Sequence, residues 1–289
     1  MRVAILGTGH MGTAVGLRLL AKGHEVVAWN RSLEKTRKLQ DRGAHVVPTA
    51  QAAAAECDVA CLLLTDDSAV MSVASDGVMG ALQPTARLVD MSTVSPQTSR
   101  RVGGMTPGQR FVDAPILGGP AATEAGKASL LLGGDQELVQ GLDGLWSDIA
   151  VAYYYCGPTG AGTTLKLLSN LMLVGGTALL AEAVATAQAN GVPDDILRSA
   201  LRPSPAIAPG VAARFEDVVA GGHDGWWTIR LADKDMSLAM ALATDHGLTL
   251  PVAEAARRLV QQAAHAGYCD KDLGSVIEPI RRADRAEGP

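Results

Sequence analysis

Residues 157–190 constrain this chain more than any other stretch. They begin Gly157-Pro158-Thr159-Gly160-Ala161-Gly162 and run through Lys166 and Asn170 to Ala181 almost without charge. The opening glycines and proline are loop chemistry. The remainder has the length and composition of one helix, about 45 Å from Gly162 to Asn190 at ~1.5 Å per residue. A helix apolar on nearly every face must be buried on nearly every face. A membrane span is not expected, because the longest run free of polar side chains other than Thr falls well short of ~20 residues, and Glu182 comes soon after it. The expectation is burial between two domains or two subunits. Lys166 and Asn170 stand four apart and share one face. A lysine and an amide at the mouth of a buried helix need a polar partner, since an unpaired buried charge is costly. The candidate partner is a substrate.

The 289 residues suggest two domains, on a prior of ~150 residues each. Apolar residues make up 47%, enough for a sizeable core. A net charge of −5 and an aromatic content of 3% argue against a nucleic-acid partner. Cys57, Cys61, Cys156 and Cys269 are scattered and show no zinc spacing; Cys57 and Cys61 read as small core residues. The six histidines form no cluster, so no metal is expected. The apolar run after Met1-Arg2 is too short for the core of a signal peptide. A reducing cytoplasm is the expected location.

In the first domain, residues 1–158, Val3-Ala4-Ile5-Leu6 reads as a buried strand. Gly7-Thr8-Gly9-His10-Met11-Gly12 comes directly after it, then a helix pattern to Leu20 and a second strand, Glu25–Trp29. A lone GxGxxG is weak, but between strand and helix it points to a dinucleotide. Gly7 permits the tight turn, Gly9 admits a pyrophosphate, and Gly12 allows close packing. The helix N-terminus offers amides to the anion. The second strand ends Trp29-Asn30-Arg31-Ser32, where NAD-selective sites usually carry Asp or Glu for the ribose 2′-hydroxyl. Here no acid repels a 2′-phosphate, and Arg31, Ser32 and Lys35 could bind one, so NADP is the expected cofactor. Further strands are expected at 58–64 and 87–90, with cofactor-lining loops after them. Leu64, Thr65 and Thr93 are the candidate contacts there; helix capping is an equally good reading of Thr65, Ser92 and Thr93. Phe111–Pro120 reads as a strand running into a glycine-proline loop, paired with Ser129–Gly134. Gly118-Gly119 could form an anion nest, with an ordinary turn slightly preferred.

The second domain, residues 159–289, reads as all helical. Helices are expected at 193–201, 229–243 and 251–266, with a loop at 221–227 carrying Trp226 and Trp227. Residues 281–289 are polar and expected to fray. From the residues alone, Lys234 is a snorkelling lysine paired with Asp233 or Asp235. Trp226 and Trp227 read more readily as core or interface than as a substrate wall.

Together these segments resemble the β-hydroxyacid dehydrogenases, the group that includes 3-hydroxyisobutyrate dehydrogenase and tartronate semialdehyde reductase. The resemblance covers nearly the whole chain and is carried by four segments: Gly7–Gly12, Asp113–Gly119, Gly157–Asn170, and Lys234-Asp235 with Leu238-Ala239 shortly after. It implies a Rossmann-type doubly wound α/β domain joined by a long interdomain helix to an all-α domain. It implies reversible hydride transfer between NADP(H) and a hydroxyl-bearing carbon. Lys166 resembles the family's catalytic lysine, with Asn170 as its partner at the substrate oxygen. Lys234 would reach the nicotinamide end and Thr93 its ribose. Leu117, Gly118 and Gly119 would bind the substrate, with Asp235 and Trp226 nearby. The family commonly has serine at the position of Leu117 and asparagine at that of Ser169, which hints at a bulkier or less polar substrate. Imine reductases share this architecture but typically carry Asp or Tyr where Lys166 stands. A non-catalytic nucleotide-binding scaffold is a third reading, opposed by Lys166 and Asn170. A homodimer or homotetramer is expected.

Overall fold

The apolar run near the N-terminus forms β1 (Arg2–Leu6); the glycines after it turn the chain into α1 (His10–Ala21) and back into β2 (Glu25–Trp29). The computed structural model describes residues 1–286. After β3 (His45–Val46), the strands expected at 58–64 and 87–90 are β4 (Val59–Leu62) and β5 (Arg87–Asp90). Helix α2 (Asp67–Val73) comes after β4, and α3 (Pro96–Met105) after β5. The segment at 111–120 divides into β6 (Phe111–Asp113) and β7 (Ile116–Leu117); β8 (Ser129–Gly134) and β9 (Ala152–Gly157) complete the sheet.

The sheet order is β3-β2-β1-β4-β5-β6-β8-β7, with β9 paired to β8. From β3 through β6 every pairing is parallel. The order 3-2-1-4-5-6 is that of a doubly wound Rossmann sheet, whose ligand crevice lies where the order reverses, beyond the carboxyl ends of β1 and β4. The later strands depart from it: β8 runs antiparallel to β6 and β7 and parallel to β9. Successive strand residues point to opposite faces, and both faces are covered. Val3, Ile5, Val26, Val59 and Val89 pack into one apolar cluster; Ala4, Leu6, Val27, Ala60 and Leu88 pack into another. This is why the parallel strands read as unbroken apolar runs. Cys57 and Cys61 are buried core thiols, and burial pushes the Cys57 thiol up to about 11.

Contacts divide the chain into two compact units, Met1–Lys166 and Leu167–Pro289. Helix α4 (Ala161–Ala189) begins in the first and continues through the second. After it the elements are helical, including α5 (Ile229–Thr244), α6 (Pro251–Ala263) and α7 (Ile277–Ala286). By length and hydropathy α4 is apolar enough to cross a membrane. Val174, Ala178, Leu180, Ala181 and Val184 are instead built into the core of the second unit.

Within the single chain helix α4 keeps one face open: Leu165 is 45% exposed, Leu168 40%, Met172 68% and Leu179 67%. Their spacings of three, four and seven residues put these side chains on one stripe. The C-terminal stretch does not fray from residue 281, because α7 continues to Ala286. The Arg281 guanidinium donates to Gln188 Oε1 and to the carbonyls of Val218 and Val219. Residues 287–289 of the expected frayed tail lie outside the described residues.

Candidate active site

The glycine loop sits at the carboxyl end of β1. Gly7 has φ 108°, and a Cβ there would collide with the Leu63 carbonyl. A Cβ at Gly12 would collide with the Gly7 carbonyl, so the close approach Gly12 permits is to the turn itself. A Cβ at Gly9 would meet nothing within 4 Å, which leaves this face of the loop open. No side chain caps α1, so its first-turn amides are available to an anion. The Thr8 hydroxyl is buried without a hydrogen-bond partner. An open backbone face, uncapped amides and an orphaned hydroxyl fit a dinucleotide pyrophosphate. His10 is exposed and Met11 half-buried.

Asn30 joins this loop to the end of β2. The Thr8 amide donates to Asn30 Oδ1 at 3.1 Å, and Asn30 Nδ2 donates to the Ser32 carbonyl at 3.0 Å. Asn30 thereby shapes the turn that carries Arg31 and Ser32. Arg31 and Lys35 are exposed and Ser32 is half-buried.

The loops after β4 and β5 are held to each other. Ser92 Oγ accepts from the Leu64 amide at 2.9 Å, and the Ser92 amide donates to Asp90 Oδ1 at 2.9 Å. Thr65 is exposed and donates to Asp66, which caps α2 by accepting from the Ala69 amide. Ser95 caps α3, and Asp67 Oδ1 accepts from the Ser95 amide and from Thr98 Oγ1. Thr93 lies half-buried within this braced loop. Leu117 is half-buried opposite Ser129 in the β7–β8 pair. Gly118 has φ 140°, and Gly119 leads into the short helix Pro120–Glu124.

Two buried carboxylates stand side by side where β5 and β6 end, since Asp90 and Asp113 are register partners. Asp113 is fully buried. Its Oδ1 accepts from the Gly160 amide at 2.7 Å; its Oδ2 accepts from the Thr163 amide at 2.9 Å and from Thr163 Oγ1 at 3.3 Å. Burial raises its pKa, opposed by these donors. Asp90 Oδ2 has no partner. Burial pushes Asp90 up to about 7, against its bonds from Ser92 and with the charges of Asp113 and Asp67 adding to the rise. Lys166, half-buried, comes three residues after Thr163 on the same helix.

In the second unit Asn170, Lys234 and Asp235 are brought together. Asn170 Nδ2 donates to Asp235 Oδ2 at 2.7 Å, and Lys234 Nζ lies 2.7 Å from Asp235 Oδ1. Asp235 is 3% exposed. Within the chain, this carboxylate is a partner of Asn170. The pairing of Lys234 with Asp235 is one of the two that apolar burial of a lysine led us to expect. Trp226 packs half-buried against the second unit's core. Trp227 is buried, with the Arg214 guanidinium 5.2 Å from its ring centroid.

Sequence reasoning missed Asp90 and met Asp113 only as the first residue of a motif; it offered Asp66 and Asp67 alike as helix caps, and of the two Asp66 caps α2 while Asp67 holds Ser95 and Thr98. The signal was present: Leu88-Val89-Asp90 and Phe111-Val112-Asp113 are apolar strands each closing on an acid. An Asp at the carboxyl end of a buried parallel strand lies at the sheet edge where ligands bind.

Residues 2–157 match the model of the NAD-binding domain of 6-phosphogluconate dehydrogenase, and residues 160–280 match that of the NAD-binding region of NADP-dependent 3-hydroxyisobutyrate dehydrogenase. The chain is 29% identical to glyoxylate/succinic semialdehyde reductase 1 of Arabidopsis thaliana, over 97% of this chain and 99% of the relative. It is similar to the structure of Mycobacterium tuberculosis 3-hydroxyisobutyrate dehydrogenase with L-serine, at 25% identity and a TM-score of 0.83, covering 97% of this chain and 99% of that one. An imine reductase from Pseudomonas sp. shares the fold, at 20% identity and a TM-score of 0.64, over 96% of this chain and 99% of that one.

Proposed function

Because this chain belongs to the β-hydroxyacid dehydrogenase family and is an NAD(P)-dependent oxidoreductase, we propose that it interconverts a β-hydroxyacid and the matching semialdehyde or carbonyl, with NADP(H) as cofactor and Lys166 as general acid and base. One observation within the first unit carries this reading. The unit that presents the open glycine loop beyond β1 also holds the start of α4, through Asp113, at the carboxyl end of β6. Lys166 lies within one helical turn of Thr163.

The dinucleotide would be held by the glycine loop, with Arg31, Ser32 and Lys35 at its 2′-phosphate, and would supply or accept the hydride. The absence of an acid at the end of β2 and the exposure of Arg31 support NADP. The chain's own part is to bind the substrate, orient it and move one proton at its oxygen. In reduction Lys166 donates to the forming alkoxide; in oxidation it takes the hydroxyl proton. A lysine can do both when burial or a nearby cation lowers its pKa toward neutrality. The substrate is a small molecule met in a reducing cytoplasm, and the working form is a homodimer or homotetramer, with no nucleic-acid or membrane partner. The exposed stripe of α4 supports assembly.

The test is nicotinamide absorbance across a panel of hydroxyacids, semialdehydes and a cyclic imine, each with NADPH and NADH, for the wild type and Lys166→Ala. The expected result is semialdehyde reduction faster with NADPH. The variant should lose about 10²–10⁴-fold in kcat yet still bind NADPH. Unchanged turnover in Lys166→Ala removes the lysine's role. Turnover of the imine alone moves the chain to the imine reductases, a reading that Leu117 in place of serine makes worth including.

A further inference from the structure

The Asp113 carboxylate is fully buried, which is costly unless its charge does something an apolar residue could not. It takes three donors from one short stretch, the amides of Gly160 and Thr163 and the Thr163 hydroxyl. The amides of a helix's first turn have no intrahelical acceptor and are usually capped by a side chain just ahead of the helix. Here the acceptor lies 47 residues upstream of Gly160, on a central strand of the sheet. A local cap would stabilise the helix equally well and leave its position unspecified. A cap borrowed from β6 ties the helix start to the sheet.

The surrounding glycines are shaped to this contact. A Cβ at Gly162 would stand 2.9 Å from Asp113 Oδ2 and would collide with the Leu131 carbonyl. A Cβ at Gly133, on the next strand, would stand 2.5 Å from Asp113 Oδ1. Both glycines clear space for the carboxylate and let the helix backbone come down onto the strand edge. The negative charge also meets the positive end of the helix dipole.

We propose that Asp113 is a positioning residue for Lys166: its carboxylate fixes the first turn of α4 against the end of β6 and the middle of β8, and so sets where the lysine amine stands. The inference rests on the catalytic reading of Lys166. It assigns Asp113 no contact with the reacting atoms. Displacing a reacting group by ~1 Å can cost ~10²-fold in rate, so the expected signature is a loss in kcat with binding retained.

The experiment compares Asp113→Asn with the wild type and with Lys166→Ala. The amide keeps the size of the side chain but turns a donor toward a donor. Expected are an NADPH Kd within about twofold of wild type, a substrate KM within about threefold, and kcat lowered by about tenfold or more. Unchanged kcat overturns the proposal, and so does a loss of NADPH affinity in step with kcat, which marks a general defect of the first unit. If Asp113→Asn does not fold, Thr163→Val decides: it removes one of the three donors and is expected to lower kcat about threefold with NADPH affinity kept, and unchanged kcat there overturns the proposal. A dead Lys166→Ala beside a fully active Asp113→Asn defeats this inference alone. An active Lys166→Ala defeats the catalytic reading beneath it.

Discussion

At the scale of single residues, the ionisable groups at the strand ends carry information that their surroundings in sequence conceal. Asp90 is 1% exposed and has a pKa of about 7, against ~3.9 for an unfolded Asp. A carboxyl whose pKa rises on folding favours the folded state when protonated. That contribution is fully present below ~pH 4 and is lost as pH climbs through about 7. Between pH 5 and 8 this one group should withdraw about 3 kcal/mol of stability. Asp90→Asn removes the titration, so the difference between variant and wild-type urea midpoints should move in the variant's favour from pH 5 to pH 8. A pH-independent difference would mean that Asp90 is ionised throughout. Arg87-Leu88-Val89-Asp90 marks an acid closing a buried strand but not the size of its shift, which comes from burial in the folded sheet and from the company of Asp113 and Asp67, 23 residues later and 23 residues earlier in the chain.

At the scale of elements, α4 shows two kinds of position. The glycines that open α4 read as loop punctuation up to Gly160, with the helix expected from Gly162. In the structure Gly162 lies inside the helix with the Leu131 carbonyl against it. Alanine for glycine in a helix interior ordinarily stabilises by up to ~1 kcal/mol. Gly162→Ala should do the reverse, costing about 1–3 kcal/mol through overpacking, and should lower kcat by displacing the same turn that Asp113 holds. Thermal melts and steady-state rates read both effects; a stabilised, fully active variant would show that the helix start yields easily. Further along, the face of Val174, Ala181 and Val184 enters the second unit's core while the face of Met172 and Leu179 stays exposed. Apolar composition alone did not distinguish these faces, since both carry aliphatic side chains.

At the scale of the whole molecule, the exposed stripe Leu165, Leu168, Met172 and Leu179 is the structural counterpart of the proposed assembly. Single exposed leucines need no explanation, but an apolar row on one helix face is self-complementary and suits an isologous contact about a two-fold axis. The double substitution Met172→Asp with Leu179→Asp should reduce the mass seen by light scattering on a sizing column from an oligomer to a monomer. A monomeric wild type, or a variant oligomer of unchanged mass, would exclude this face as the interface.

Residue order alone marked the first strand–helix–strand unit with its nucleotide loop, the strands β4, β5, β6 and β8, and the long helix α4, whereas β3, β9 and the direction of β8 emerged only in the folded sheet. The former depend on local patterns: buried strands reading as apolar runs, a glycine loop between strand and helix, and an uncharged stretch long enough for one helix. The same local patterns missed the roles of Asp90 and Asp113, the partner of Asn170, and the open face of α4. Each of these is a relation between residues far apart in the chain. The Asp113 carboxylate reaches 47 residues to the Gly160 amide, and Asn170 reaches 65 residues to Asp235. Hydrogen bonding acts over about 3 Å, so which buried donors and acceptors meet is decided only when the chain has folded.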